Sequence, residues 1–311
     1  MTTAARPLVV GTRGSALALA QTATVVAALR TSRPNVSCEI RRITTKGDVM
    51  RDVPLATIGG RGVFADAIED ALRAGEIDFA VHSAKDLPST TSAGLTIAAA
   101  PEREDPRDVL VSRAGNLRDL PAGARVGTSS QRRACQLLAA RPDLRIRDLR
   151  GNVDTRLRKL DAGEYDAIVL AGAGLRRLGL ADRVTEWLAP HTMLPAPGQG
   201  ALAIECREDD AEIRRLLAPL DHEPTATALA AERGFLARLG AGCAAALAAL
   251  ATIGESGALR VRGVIGSPDG RLVAGEQHGP PGEAAEIGAA LAEALLSRGG
   301  RELVAETRRP A

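Results

Sequence analysis

The chain has 311 residues, a formal net charge of +2, 45% hydrophobic residues and 25% charged residues, which is typical of a globular protein that buries a core. Its length predicts two or three domains. No apolar run reaches the roughly 20 residues of a membrane-spanning helix, no signal-peptide core follows the N-terminus, and the four cysteines form no CxxC pair. We therefore expect a cytoplasmic protein with no membrane association, no disulfide framework and no bound metal.

The first third of the chain alternates predicted strands and helices, which is typical of a largely parallel α/β sheet. Ser15 is the expected N-cap of the first helix. The glycine-rich segment is expected to be a mobile loop. The predicted order is strand, helix, strand, loop, helix and strand, at Leu8–Thr12, Ala16–Arg30, Glu39–Thr44, Lys46–Gly62, Val63–Ala74 and Phe79–His82.

The middle of the chain repeats two patterns from its start. Val10-Gly-Thr-Arg-Gly-Ser15 is similar to Val126-Gly-Thr-Ser-Ser-Gln131, and Gly75-Glu-Ile-Asp-Phe-Ala-Val81 is similar to Gly163-Glu-Tyr-Asp-Ala-Ile-Val169. Two matches in the same order favour two α/β lobes of similar build. Independent use of good turn residues would give the same pattern, so both interpretations stay open here.

The pattern changes after Pro195-Ala-Pro-Gly198, where strands bracketed by two helices predict a separate α+β domain. Movement is expected at two hinges, Pro101–Pro106 and Pro195–Gly200. The predicted elements of this last domain are a helix, a tight turn, two strands and a helix, at Ala226–Leu239, Gly240–Cys243, Leu259–Ile265, Leu272–Ala274 and Glu283–Arg298.

Positive charge is concentrated in the second lobe, where eleven arginines and one lysine between Arg125 and Arg177 stand against six acidic residues. Several of these arginines lie at predicted strand-to-helix junctions, which line the ligand crevice of a doubly wound sheet. Arginine pairs bidentately with carboxylate or phosphate. Because no Walker motif or dinucleotide fingerprint is present, we interpret the cluster as a site for a small molecule with several carboxylates.

Lys85 and Asp86 follow a predicted strand and have two interpretations. They could form a surface ion pair of little energetic value. Alternatively, Asp86 is a carboxylate that faces the ligand and hydrogen-bonds a cationic or N–H-bearing group. The residue pattern alone does not decide between them.

These residues belong to a set of motifs that resembles the porphobilinogen deaminase (hydroxymethylbilane synthase) family. The motifs run in family order over most of the chain, from about Val10 to Cys243. They are Gly11-Thr-Arg-Gly-Ser-Ala-Leu-Ala-Leu-Ala-Gln21, Thr45-Lys-Gly-Asp48, Gly59-Gly-Arg-Gly-Val-Phe64, Ala80-Val-His-Ser-Ala-Lys-Asp-Leu-Pro88, Gly127-Thr-Ser-Ser-Gln-Arg-Arg133, Leu149-Arg-Gly-Asn-Val-Asp-Thr-Arg-Leu157, Leu194-Pro-Ala-Pro-Gly-Gln-Gly-Ala-Leu202, Glu232-Arg-Gly-Phe-Leu236 and Gly242-Cys243.

The resemblance implies an enzyme that condenses four porphobilinogen molecules head to tail, releasing ammonia each time, to give the linear tetrapyrrole hydroxymethylbilane. It implies one covalent dipyrromethane cofactor per chain, held by a thioether to Cys243. It also implies a monomer with two lobes like those of periplasmic binding proteins and a smaller C-terminal α+β domain. The expected domains are residues 1–101 with 200–218, carrying Lys85 and Asp86, then the arginine-rich residues 106–195, and finally residues 222–311 with Cys243.

Residue roles follow from the same resemblance. Asp86 matches the catalytic aspartate, and its loss should leave a site that binds but reacts poorly. The positions that match residues holding the cofactor and substrate are Arg13, Ser15, Lys85, Ser129, Arg132, Arg133, Arg150, Arg156, Arg177 and Gln199. The remaining cysteines, Cys38, Cys135 and Cys206, are expected to be small buried apolar residues.

Two departures from the family pattern stand out. The Pro-hydrophobic-Gly element that usually follows the cysteine is replaced by Ala-Ala-Ala-Leu-Ala-Ala-Leu, so we expect a turn that is built differently or continues partly as helix. Arg61 stands where a lysine is common, which keeps the charge.

Two other functional classes compete with the enzyme. A non-catalytic binding module would also use two α/β lobes and arginines, but it needs no cysteine in a turn. A nucleic-acid binder is disfavoured by the near-neutral net charge, the 2% aromatic residues and the lack of helix-turn-helix or finger spacing. Only the deaminase interpretation predicts a covalent pyrrole adduct on the purified protein.

Overall fold

The computed structural model describes residues 6–45, 65–240 and 246–307. None of the helices in these ranges is long and apolar enough to cross a bilayer. The strands are β1 (Leu8–Arg13), β2 (Cys38–Ile43), β3 (Phe79–Ser83), β4 (Leu95–Ala99), β5 (Asp108–Ser112), β6 (Arg125–Gly127), β7 (Arg145–Arg147), β8 (Ala167–Ala171), β9 (Glu186–Trp187), β10 (Leu202–Arg207), β11 (Ala246–Ile253), β12 (Leu259–Gly266) and β13 (Leu272–Gly279). The α-helices are α1 (Ala16–Ser32), α2 (Asp66–Arg73), α3 (Gln131–Ala140), α4 (Val153–Asp161), α5 (Gly172–Arg177), α6 (Ala211–Leu217), α7 (Glu223–Leu239), α8 (Ala284–Leu295) and α9 (Arg301–Thr307).

The first compact unit, formed by the described residues up to 103 and by 201–226, is built on a five-stranded sheet that we call the N-terminal sheet. Its strand order is β2-β1-β3-β10-β4. Strand β1 runs parallel to β2 and β3, whereas β10 runs antiparallel to β3 and β4. The sheet is therefore mostly parallel, as predicted, with one antiparallel strand contributed by a segment far along the chain.

Helices cover both faces of the N-terminal sheet, and the side chains of each strand alternate between them. On one face Phe79 and Ile204 pack in a cluster with Leu29 of α1 and Leu217 of α6. On the other face Ala80 packs with α2 and the residues around it. Burial on both faces explains why β3 and β10 are almost continuously apolar.

The second compact unit contains residues 104–200 together with the described residues from 227 onward. Its first part is a five-stranded middle sheet with the order β7-β6-β8-β5-β9. Strand β6 is parallel to β7 and β8, and β5 is antiparallel to β8 and β9. Each of the two five-stranded sheets thus has three parallel strands, then an antiparallel strand, then a fifth strand. The antiparallel strand is β10, from far along the chain, in the N-terminal sheet and β5, from shortly before β6, in the middle sheet. This shared order confirms the prediction of two α/β lobes of similar build.

The C-terminal sheet is an antiparallel meander of β11, β12 and β13. Helices α7 and α8 pack against it through Phe235 and Leu291. These helices approach closely because α8 carries Gly288, where a Cβ atom would overlap the carbonyl oxygen of Ala231. The predicted fold class, two α/β lobes with a smaller C-terminal α+β domain, is confirmed, whereas the boundaries of the three predicted domains stay predictions.

The sequence analysis missed two elements of the C-terminal domain. From Ala246 onward the alanine-rich run is strand β11, whose first six residues are buried in the sheet, where packing outweighs the helix propensity of alanine; the turn directly after Cys243 lies outside the described residues. The last predicted helix, Glu283–Arg298, is present as α8 and the helical residues that follow it. Its helical backbone is interrupted at Arg298 and Gly299, and α9 follows as a separate helix that the sequence analysis missed.

Candidate active site

A pocket in the first unit lies at the end of β3, where the strand passes into a short 3-10 turn, Ala84–Asp86. Asp86 is exposed, as is Lys85. The pocket is lined by Arg13, Ser15, Leu17, Ala18, Gln21, Ala65, Val81, His82, Ser83 and Asp86. Three of the predicted site residues, Arg13, Ser15 and Asp86, are therefore brought together by the carboxyl ends of β1 and β3 and the start of α1.

The Asp86 carboxylate makes no hydrogen bond or ion pair with any residue in the described ranges. The interpretation of Lys85 and Asp86 as a surface ion pair therefore does not describe this structure. A carboxylate has about four lone-pair positions, and those of Asp86 are available to a ligand in the pocket. The geometry favours the second interpretation, in which Asp86 accepts hydrogen bonds from a bound N–H group.

The start of α1 shapes the opposite wall of the pocket. The Ser15 hydroxyl accepts a hydrogen bond of 3.2 Å from the Ala18 amide, so Ser15 is the N-cap that the sequence predicted. One turn further on, Gln21 is buried and its Nε2 donates to the Ser83 hydroxyl at 2.9 Å. The sequence analysis missed Gln21 and Ser83. The signal was a glutamine on the buried face of an otherwise alanine- and leucine-rich helix.

In the second unit, Asp108 at the start of β5 is fully buried and binds three predicted site residues. Arg132 donates from Nη1 to Asp108 Oδ2 at 2.6 Å, and Arg133 donates from Nε to Asp108 Oδ1 at 2.9 Å. Gln199 Nε2 donates to the same Oδ1 at 3.0 Å. We call these four residues the Asp108 cluster. Asp108 itself was missed, because a lone aspartate before an apolar strand gives no signal of its partners.

Electrostatics keep the Asp108 cluster ionised. Burial alone would raise the pKa of the Asp108 carboxyl, but the adjacent guanidiniums of Arg132 and Arg133 outweigh burial and hold the pKa well below its usual range. Burial also lowers the pKa of Arg133, and Asp108 opposes that shift. Two cations share one carboxylate, so the cluster keeps a surplus positive charge.

The other predicted cations of the second unit lie on the junctions that precede or begin helices. Half-buried Arg156, one turn into α4, donates from Nε to the Gly151 carbonyl at 2.7 Å. Its pKa falls to about 10, because of burial first and then of the neighbouring charges of Arg133 and Arg150, with only Asp148 acting against them. Arg133 and Arg150 thus both lie close enough to Arg156 to repel its charge, which a bound anion would relieve, and Arg150 itself pairs with Asp148 at 3.3 Å.

Arg177 and Ser129 complete the predicted residues of this unit. Arg177 donates from Nη2 to the Gly200 carbonyl at 2.7 Å, and burial lowers its pKa. Gly200 has a φ of 87°, and a Cβ atom there would overlap the Glu104 carbonyl oxygen, so only glycine fits. The Ser129 hydroxyl donates to the Leu149 carbonyl at 3.0 Å.

Some predictions lie outside the described residues. They are the attachment cysteine Cys243, the loop Lys46–Gly62 with Arg61, and the parts of the motifs Thr45–Asp48 and Gly59–Phe64 that follow Thr45. Of the other cysteines, Cys135 and Cys206 are buried free thiols, as expected, and burial raises the pKa of each to about 11. Cys38 is only partly buried, in contrast to the prediction.

The first unit carries an open carboxylate in a pocket, and the second unit carries surplus arginine charge. These are groups expected of an enzyme that acts on a small molecule with several carboxylates. Residues 8–215 match the family model described as "Porphobilinogen deaminase, dipyromethane cofactor binding domain". Residues 226–297 match that of the porphobilinogen deaminase C-terminal domain. The chain belongs to the porphobilinogen deaminase family.

Curated relatives agree over almost the whole chain. The chain is 54% identical to a porphobilinogen deaminase of Roseiflexus sp., covering 96% of this chain and 98% of that one. It is 52% identical to a porphobilinogen deaminase of Thermus thermophilus, with coverage of 97% and 100%. Among solved structures, the second substrate-binding domain of a putative amino acid ABC transporter from Streptococcus pneumoniae aligns with a TM-score of 0.43 and 14% identity over 69% of this chain and 91% of that one.

Proposed function

We propose that this chain condenses four porphobilinogen molecules into hydroxymethylbilane with Asp86 as the catalytic carboxylate and Cys243 as the attachment point of a dipyrromethane cofactor. The family relationship supports the reaction. The observation that carries the assignment of the binding residues is the positive charge around Arg156. Arg156 lies near Arg133 and Arg150 and forms no ion pair among the described residues, whereas Arg133 pairs with Asp108 and Arg150 with Asp148. Porphobilinogen carries an acetate and a propionate, so every added ring brings two carboxylates to such a site.

The residues of the chain fit the dipyrromethane cofactor. Arginine forks are the protein groups best suited to carboxylates, and the second unit supplies them at helix starts, where backbone N–H groups add positive potential. Arg132, Arg133, Arg150, Arg156 and Arg177 would hold the carboxylates, with Arg13, Ser15, Lys85, Ser129 and Gln199 as further binding residues. When bound, the cofactor supplies the pyrrole ring from which the chain of rings is extended.

These binding residues differ in how directly they can contact a ligand. Arg132 and Gln199 are buried and already bonded to Asp108, so we expect them to hold a ligand less directly than Arg150 and Arg156 do. Arg133 faces both Asp108 and Arg156, which makes it the link between the internal charge and the ligand. Arg150 and Arg156 are only half-buried and therefore offer the first contacts to an incoming carboxylate.

Asp86 has the chemical role. The loss of ammonia from the aminomethyl group leaves positive charge spread over the substrate ring and its N–H. A fixed carboxylate that accepts a hydrogen bond from this N–H stabilises the charge as it develops. The arginines contact only the side-chain carboxylates, so they bind substrate without stabilising the reacting ring. Without Asp86 the site should bind and react poorly.

The proposal also covers the oligomeric state, the cellular location, the domain boundaries and the partners. We propose a monomer located in the cytoplasm, where the free thiols of Cys135 and Cys206 would stay reduced. The proposed domains are residues 1–101 with 200–218, residues 106–195 and residues 222–311. Nucleic acid and membrane are not among the proposed partners.

The test is the denatured intact mass of the purified wild-type chain beside Cys243→Ala and the matched control Cys38→Ala. We expect an excess equal to one dipyrromethane on wild type and Cys38→Ala, and the bare polypeptide mass for Cys243→Ala. Wild type without excess is then incubated with porphobilinogen. If no adduct forms, the catalytic proposal fails and a non-catalytic binding module becomes the better interpretation.

A further inference from the structure

Two buried ionisable side chains in the first unit are in contact but form no hydrogen bond with each other. His82 on β3 and Glu205 on β10 are 7% and 2% exposed, and His82 Nε2 lies 3.2 Å from Glu205 Oε2. The angles do not allow a hydrogen bond, and neither atom has another hydrogen-bond partner among the described residues. None of the roles assigned above uses this pair.

The strand register places the pair beside the pocket of Asp86. Successive side chains alternate across a sheet, so His82 lies on the same face as Ala80, the face covered by α2. Gly11 pairs with Ala80 in parallel register, and two residues further on Arg13 comes level with His82. His82, Arg13 and Asp86 all line the same pocket.

The burial of Glu205 explains why the imidazole is held where it is. An ionised carboxylate in a protein interior needs a partner, since an unpaired buried charge is costly. Of the charged groups near the pair, Arg13 and Asp86 line the same pocket as His82. Arg207 lies two residues after Glu205 on β10 and donates to the Leu72 and Ile77 carbonyls. Glu205 is therefore the acidic group beside the imidazole, and His82, unlike Glu205, also lines the pocket.

We propose that His82 is the proton carrier of the condensation and that Glu205 is its positioning residue. This inference rests on the proposed function and deepens it, because it gives the pocket of Asp86 a second chemical group. In each condensation the carbon–nitrogen bond of the substrate breaks and ammonia leaves with the electron pair. A carbon–carbon bond forms at the free ring carbon of the growing chain, and that carbon loses its hydrogen as a proton. The imidazole lone pair takes the proton and passes it to ammonia or water before the next condensation.

The kinetic test compares His82→Gln and Glu205→Gln with His278→Gln, a control for an exposed histidine on β13. For His82→Gln we expect kcat to fall about 10²- to 10⁴-fold, the usual contribution of a general acid or base, with KM unchanged. Glu205→Gln should give a smaller loss of kcat, and His278→Gln none.

A second readout does not depend on turnover. The chain has four histidines, so the ring signals of His82 in an NMR spectrum can be identified by eliminating His191, His222 and His278 through single substitutions to glutamine. Protein made in cells that produce no porphobilinogen is recorded before and after incubation with porphobilinogen. The His82 ring signals should move on cofactor assembly, and those of His278 should not.

The outcomes separate this inference from the proposed function. A wild-type kcat in His82→Gln, or His82 signals that stay in place on cofactor assembly, would overturn the role of His82 even if Asp86 and Cys243 behave as proposed. If His82→Gln does not fold, the wild-type spectra decide by themselves. Absence of any adduct on wild type refutes the proposed function instead, and His82 is then left without a reaction to serve.

Discussion

Asp86 is exposed at the end of β3 and has no partner among the described residues, whereas Asp108 is fully buried beneath Arg132 and Arg133. Solvent and ligand can reach the first carboxylate, so its charge is available for chemistry. The charge of Asp108 is paired with two guanidiniums, so removing it should lower the stability of the fold more than it affects the reaction.

Asp86→Asn tests the chemical role of the exposed carboxylate. The amide keeps the shape but loses the negative charge, so kcat should fall by about 10²- to 10³-fold, the usual effect of removing one transition-state-stabilising group, with KM little changed. Steady-state kinetics with porphobilinogen measure both constants. Asp209→Asn, a change at an exposed acid of the same unit, should match wild type. A kcat near wild type in Asp86→Asn would contradict the assignment.

Arg156→Gln tests whether Arg156 binds substrate rather than stabilising the fold. Arg156 stands among other cations, so removing its charge relieves repulsion and should leave the free energy of unfolding unchanged or slightly higher. The loss of a carboxylate contact should raise KM about tenfold, which corresponds to about 1.4 kcal/mol of binding free energy. Urea unfolding and KM are measured on this variant and on Arg158→Gln, an exposed control on the same helix. A less stable Arg156→Gln with normal KM would show a structural role.

At the level of elements, the site is carried by strand ends and helix starts, and these were largely predictable. The turn after β1, the N-cap Ser15 and the start of α3 at Gln131 are local features that short stretches of sequence determine. Strand β11 was not predictable in this way. Its alanines favour a helix locally. Only pairing with β12 and the packing of its side chains against Leu194 make it a strand.

Ser15 has two roles that substitutions at the start of α1 can separate. Ser15→Ala removes the acceptor for the Ala18 amide and should lower the free energy of unfolding by about 1 kcal/mol, whereas Ser15→Asn keeps a capping oxygen and should stay near wild type. If Ser15 also binds substrate, KM rises in both variants. Chemical denaturation and steady-state kinetics are compared for the pair, and equal stability of Ser15→Ala and wild type would remove the capping role.

At the scale of the whole molecule, the Asp108 cluster shows what sequence cannot predict. Arg132 and Gln199 stand 24 and 91 residues from Asp108 in the chain, and only the packing of β5, α3 and the segment before β10 brings the three together. The motifs identified Arg132 and Gln199 through family resemblance, but the resemblance gave no reason to connect them with Asp108. Contacts between residues this far apart in the chain form only when the whole unit is folded, so local sequence patterns do not reveal them.

The Asp108 cluster should make stability depend on pH in a predictable direction. The pKa of Asp108 in the folded protein lies below its ordinary value of about 4, so the folded state is stabilised above that pH and loses this contribution as the pH falls through the folded value. Asp108→Asn removes the charge and leaves two buried guanidiniums unpaired, which should cost about 3–5 kcal/mol at neutral pH.

The difference in free energy of unfolding between wild type and Asp108→Asn separates the effect of Asp108 from that of the other acidic residues. Urea unfolding of wild type, Asp108→Asn and the control Asp209→Asn at pH 7, 5, 4 and 3 should show a constant gap between wild type and Asp108→Asn down to about pH 4. Below that pH the gap should narrow, because Asp108 takes up a proton in the unfolded wild type while it stays ionised in the folded wild type. Asp209→Asn should follow wild type throughout. A gap that stays constant down to pH 3 would contradict the prediction, because it would mean that Asp108 has the same pKa in the folded and unfolded states and that its ionisation does not stabilise the fold.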